Sequence, residues 1–120
     1  MVISVKMEII MDIKDDIYVE LVEEILKIIP KQVVRIVLYG SQAKGLNTNE
    51  SDVDIALLLN EVLDRNKEDQ LSEVVVTMNL KYDKVFSVID IDYNMYLTWK
   101  EVSPFYRNVK EEGIILWEIA

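Results

Sequence analysis

The chain contains neither cysteine nor histidine. Without cysteine there are no disulfides and no thiolate metal sites. Without histidine there are no zinc sites, no histidine-based triads and no imidazole acid/base chemistry. Any metal must therefore be a hard ion on oxygen ligands, and any general base must be a carboxylate, a lysine or a tyrosine. No apolar run approaches the roughly 18 to 20 residues needed to cross a bilayer. The first segment, Met1 to Asp16, interrupts its apolar residues with Lys6, Glu8 and Asp12 and has no small-residue cleavage site, so it does not read as a secretory signal. A cytoplasmic location is expected. Positive charge is also in deficit: 13 basic residues face 22 acidic ones, for a net charge of −9. Binding a polyanion depends on lysines and arginines that neutralise phosphates, so stable nucleic-acid binding is not expected. A small nucleotide whose phosphates arrive with Mg²⁺ remains compatible, and so does a basic protein partner.

What is present is a chain of 120 residues, 51% of them hydrophobic, which excludes disorder and allows a modest core. No repeat, linker or low-complexity tract divides it, so residues 1–120 are expected to form a single domain. The first dozen residues fit either a short strand or a helix. From Asp15 or Asp16, an N-cap candidate, the pattern Ile17, Val19, Leu21, Val22, Ile25, Leu26, Ile28 and Ile29 is mostly of helical period until Pro30 stops it. Val33 to Tyr39 and Asp52 to Leu59 read as strands, and Gly40 to Ser51 between them is a polar loop. Glu61 to Gln70 reads as loop or first helical turns, followed by a helix from about Asp69 to Tyr82. Asp83 and Lys84 read as turn residues and Lys84 to Ile91 as a third strand. Asp92 caps a helix carrying Met95, Tyr96 and Trp99 on one face. Ser103-Pro104 opens a last helix, which runs to Gly113 as a C′ glycine candidate, and the IILW segment closes the chain. Met7, Met11, Met78 and Met95, with Tyr96, Trp99, Phe105 and Tyr106, read as core.

The fold class implied is α/β or α+β: a mixed sheet of about three to five strands with helices packed on it. The loop between the first two strands is too short for a crossover helix but ample for a hairpin-like excursion.

The stretch Val33 to Asn60 carries the chemistry. A strand ends in Gly40-Ser41, ten residues follow, and then come Asp52-Val53-Asp54. Carboxylates separated by one residue on a strand share a face about 6 to 7 Å apart along the chain, a spacing at which they can bridge a hard cation. Gly40 allows close backbone approach. If Ser41 begins a helical turn, its amide and hydroxyl face a phosphate, with Lys44 on the same side. Taken singly, Gly-Ser is usually only a turn and Asp-x-Asp usually a solvated strand start; the combination at this spacing is what singles them out.

At Gly40-Ser41-x10-Asp52-x-Asp54 the sequence resembles the nucleotidyltransferase superfamily related to polymerase beta. Its short length is similar to that of the minimal nucleotidyltransferases. Gly40-Ser41-Gln42-Ala43-Lys44-Gly45 is similar to the family's Gly-Ser-Arg-Ala-Arg-Gly, departing from it at Gln42 and Lys44, and Arg107 to Trp117 is similar to its closing tail. The resemblance implies transfer of a nucleoside monophosphate, usually AMP from ATP, with two Mg²⁺ ions held by two or three carboxylates. Asp52 and Asp54 are then metal ligands and Gly40, Ser41 and Lys44 contact the nucleotide. A third carboxylate is implied on a neighbouring strand, as metal ligand or general base, and Asp90 is the expected residue because Asp92 is accounted for as a cap. If that strand instead turns Ser87 and Ile89 to the site, the third acid is missing. The resemblance also implies a HEPN-domain protein as partner, with this chain as the antitoxin of a toxin–antitoxin pair. The alternative is a non-catalytic module of the same fold that neutralises a partner without turnover. Transfer to a small molecule, as in the aminoglycoside-modifying relatives, would need a second domain. Self-association is left open.

Overall fold

In the computed structural model, residues 16–40, 43 and 52–119 are described. The expectations for the first dozen residues, and for Ser41, Gln42 and Lys44, lie outside them. The elements in chain order are α1 (Asp16–Ile28), β1 (Val33–Tyr39), β2 (Val53–Leu59), α2 (Arg65–Tyr82), β3 (Phe86–Asp92), α3 (Tyr93–Trp99), α4 (Pro104–Glu112) and β4 (Ile114–Glu118). The four strands form one sheet in the order β3-β2-β1-β4. β1 is antiparallel to both β2 and β4, whereas β2 and β3 run parallel with α2 as the crossover. The mixed sheet and the hairpin-like excursion are thus as the sequence implies. The closing IILW segment proves to be the edge strand β4, paired with β1.

Because side chains alternate across a strand, each strand feeds two layers. Val53, Ile55, Leu57 and Leu59 of β2 join Ile36 and Leu38 of β1 and Phe86 of β3 in the larger core. Leu21, Val22 and Ile25 of α1 and Leu71 and Met78 of α2 complete it. The opposite residues, Val37, Ala56, Leu58 and Ile91, form a smaller core with Tyr96 of α3 and Val109 of α4. α1 and α2 thus cover one face of the sheet, and α3 and α4 the other.

The local signals account for most boundaries. α1 buries Leu21, Val22, Ile25 and Leu26 on one stripe and stops before Pro30. α2 begins four residues earlier than the periodicity suggests, because the Asp64 carboxylate accepts from the Lys67 N–H at 2.8 Å and caps the helix. It ends at Asp83, whose φ of 54° is left-handed. Lys81 reaches Glu20 at 2.9 Å, and the Tyr82 hydroxyl donates to the same carboxylate, tying α2 to α1. Asp92 and Ser103 cap α3 and α4 as expected. Gly113 departs from the C′ reading: its φ of −76° is ordinary. A Cβ there would strike the Val109 carbonyl oxygen and a Val37 methyl, so glycine lets the chain pass close to β1. A further departure lies in α3, where Tyr96 is buried while Met95 and Trp99 are 50% and 49% exposed. A seven-residue helix on a sheet edge buries only one turn-spaced contact. No described helix is long and apolar enough to cross a membrane.

Candidate active site

The site is built where β1 ends and β2 begins. Tyr39 is the last residue of β1, and in the antiparallel register it pairs with Asp54, the second residue of β2. Gly40 follows at φ +80°, a conformation that costs most residues energy and glycine little. A second constraint adds to this: a Cβ built on Gly40 would lie 2.5 Å from Oδ2 of Asp54, so any other residue would displace that carboxylate. The Asp54 carboxylate therefore rests on a bare α-carbon, and the two motif residues are in direct van der Waals relation across the hairpin.

Burial and the charge of Asp52 together hold the Asp54 carboxyl above its ordinary range. Tyr39 is pushed up by burial first and then by Asp54. Among the described residues no basic side chain pairs with either aspartate. Two oxygen-donor carboxylates that repel one another and have no cationic partner among the described residues are a donor set that a hard divalent cation suits, and the residues fit Mg²⁺. Above Tyr39, Phe105 of α4 packs edge-on at 5.6 Å between ring centroids. The ring series then continues through Tyr106 and Tyr96 to Tyr93. An aromatic wall thus rises beside the carboxylates on the α3/α4 face of the sheet.

The third expected acid is not brought there. β2 and β3 pair in parallel register with Asp54 opposite Ser87 and Leu57 opposite Asp90. Phe86 and Val88 belong with the α1/α2 layer and Ile89 and Ile91 with the α3/α4 layer. By that alternation Asp90 faces α2, on the opposite side of the sheet from Asp54. Its partner there is Glu68, whose carboxyl is raised to about 7 by a hydrogen bond to Asp90, by burial, and by the charges of Asp90 and Asp69. Two clefts, of about 310 and 350 Å³, flank α2 on this side, and neither reaches Asp54. The expectation that Asp90 joins Asp52 and Asp54 is corrected: residues three apart on a strand face opposite ways, so Ser87 stands beside Asp54 and Asp90 does not. Asp92 caps α3, its carboxylate accepting from the Met95 N–H at 3.0 Å.

The motif spacing brings Gly40, Asp52 and Asp54 together but does not point to Tyr39 and Phe105. Tyr39 was readable in principle, since a hairpin excursion from Gly40 to Asp52 brings the last β1 residue opposite the start of β2. Phe105 carried no such signal.

Comparison with known proteins decides the class. The profile of the nucleotidyltransferase domain family matches residues 19–116. This chain belongs to that family. MJ0604 of Methanocaldococcus jannaschii, a candidate protein adenylyltransferase, is 34% identical over 89 residues, 72% of this chain and 80% of its own length. A toxin–antitoxin crystal structure with AMP-PNP superposes with a TM-score of 0.57 at 22% identity, over 83% of this chain and 73% of that one. The MNT antitoxin complexed with the tri-AMPylated HEPN toxin of Shewanella oneidensis gives 0.55 at 21% identity, over 86% and 71%. The two solved structures share the fold of this nucleotidyltransferase domain. Within the family's α/β framework, the aspartate pair lies at the strand ends, beside the glycine turn.

Proposed function

We propose that the chain transfers an adenylyl group from ATP to a hydroxyl on a partner protein, and that the partner is a HEPN-type toxin which this chain neutralises. The family membership supports the reaction class. MJ0604 and the MNT antitoxin structures support the adenylyl donor and the protein acceptor. The observation that carries the assignment is the Asp54 carboxylate seated on Gly40, opposite Tyr39 and close to Asp52.

In this reading the acceptor oxygen forms a bond to the α-phosphorus while the bond from that phosphorus to the β-bridging oxygen breaks. Pyrophosphate leaves and the acceptor proton passes to a base or to solvent. Asp52 and Asp54 would hold Mg²⁺, which when bound neutralises phosphate charge and polarises the α-phosphoryl group. Gly40 opens the loop where phosphates approach the backbone, and Ser41 and Lys44 carry the same expectation from sequence. Tyr39 and Phe105 close one side of the site and exclude water from it. The test is transfer of label from α-labelled ATP with Mg²⁺ to the cognate partner. Labelling that depends on Asp54 is expected, and full labelling by Asp54→Asn would overturn the assignment.

A second reading, a binding module without turnover, is favoured by one observation: β3 offers Ser87 where a third carboxylate would strengthen the site. Titration calorimetry separates the two. Nucleotide binding with no transfer to the partner would support the module.

A further inference from the structure

A two-ion clamp needs oxygen ligands for both ions, and a magnesium ion usually takes one or two carboxylates besides phosphate and water. The described residues around Asp54 supply one such set. On its β1 side stands Tyr39, a phenol that is neutral near pH 7. On its β3 side stands Ser87, whose neighbours on the same face are the alkyl side chains of Ile89 and Ile91. The β3 acids do not contribute, since Asp90 faces α2 and Asp92 caps α3. Among the described residues no group of three carboxylates is placed to hold an ion.

Resting on the nucleotidyltransferase reading, we propose that Ser87 sets the metal stoichiometry of this site. Nucleotide is held through one tightly bound divalent cation on Asp52 and Asp54, and a second cation binds only weakly. A neutral hydroxyl can orient a metal-bound water but does not offset the repulsion between two dications, which a carboxylate at the same position would. Ser87 is half-buried and directly opposite Asp54 in the ladder, so the position is close enough to decide the count. It is the neutral side chain at position 87, rather than its hydroxyl, that limits the count, and the acceptor proton is not taken by a carboxylate of β3.

The experiment is Mn²⁺ titration of the purified full chain, followed by electron paramagnetic resonance, with saturating AMP-PNP. Ions bound by the acidic surface are subtracted using Asp54→Asn. The wild-type chain is expected to take up one tight Mn²⁺, with a second binding about tenfold or more weaker. Ser87→Asp is expected to gain a second tight ion, and Ser87→Ala to keep one. Two ions of equal affinity in the wild type would overturn the proposal, as would a folded Ser87→Asp that still holds one. Should Ser87→Asp fail to fold, the wild-type count alone decides. No Mn²⁺ uptake above the Asp54→Asn control would instead sink the nucleotidyltransferase reading, and the proposal with it.

Discussion

The same sheet carries two carboxyl pairs, one on each face, and they solve the problem of like charge in opposite ways. On the α1/α2 face, Glu68 and Asp90 share a hydrogen bond, and the pair relieves its repulsion by keeping a proton up to about pH 7. On the α3/α4 face stands Asp54, the second residue of β2, with Asp52 just before the strand and close enough for its charge to raise the Asp54 carboxyl. Asp54 rests on the bare α-carbon of Gly40, and no described basic side chain pairs with either. A pair that keeps its own proton is complete within the fold, whereas a pair that no described cation relieves suits an external one. Proximity of acids alone does not distinguish the two; the hydrogen bond does.

The comparison is broken most severely at Asp54. Asp54→Asn is expected to lower adenylyl transfer by about a hundredfold or more while leaving the melting temperature unchanged or raised, because it removes an unrelieved charge. Label transfer and thermal unfolding measured together check this. Gly40→Ala comes next. It combines a left-handed φ with a Cβ set 2.5 Å from the Asp54 carboxylate, so it should both displace Asp54 and destabilise the fold. Urea unfolding should show a loss of about 1 to 3 kcal/mol, with transfer reduced beyond what stability explains.

The opposite face is sharpened by pH. Glu68 titrates at about 7 in the fold against 4.5 unfolded, so between those values the folded chain binds a proton that the unfolded chain has released. The Glu68 contribution should therefore be fully present and flat below about pH 4.5, be lost as pH rises through about 7, and then level off. Glu68→Gln keeps a neutral donor to Asp90 at every pH. It should flatten this part of the profile in urea unfolding at pH 5, 6, 7 and 8, leaving transfer at its wild-type rate. The smallest effect is expected at Asp64, which caps α2 on the same face. Asp64→Ala should cost about 1 kcal/mol by urea unfolding and leave nucleotide binding unchanged.

Much of this arrangement was legible in the residues themselves. The β-branched run ending at Tyr39, the glycine turn and the Asp-x-Asp start of β2 announce the hairpin, because alternation and turn chemistry are local. The apolar periodicity places the start of α2 four residues late: Asp64, Arg65 and Lys67 are polar, and the cap that begins the helix leaves no apolar period. The helical spacing of Met95 and Trp99 with Tyr96 predicts core for all three, yet α3 is too short and too peripheral to bury them all. Asp90 was misplaced for a deeper reason. Ser87 and Asp90 lie on opposite faces of β3, and choosing the face that meets Asp54 requires the β2–β3 register, a non-local quantity fixed by packing of Phe86 and Val88 under α2.

The central claim is that the chemistry belongs to the Asp54 face alone, and paired calorimetry of Asp54→Asn and Asp90→Asn with Mn²⁺ and AMP-PNP tests it most directly. The account predicts that Asp90→Asn binds nucleotide within about twofold of wild type while Asp54→Asn binds about tenfold or more weakly. Equal losses in the two variants, each shown to be folded, would contradict it.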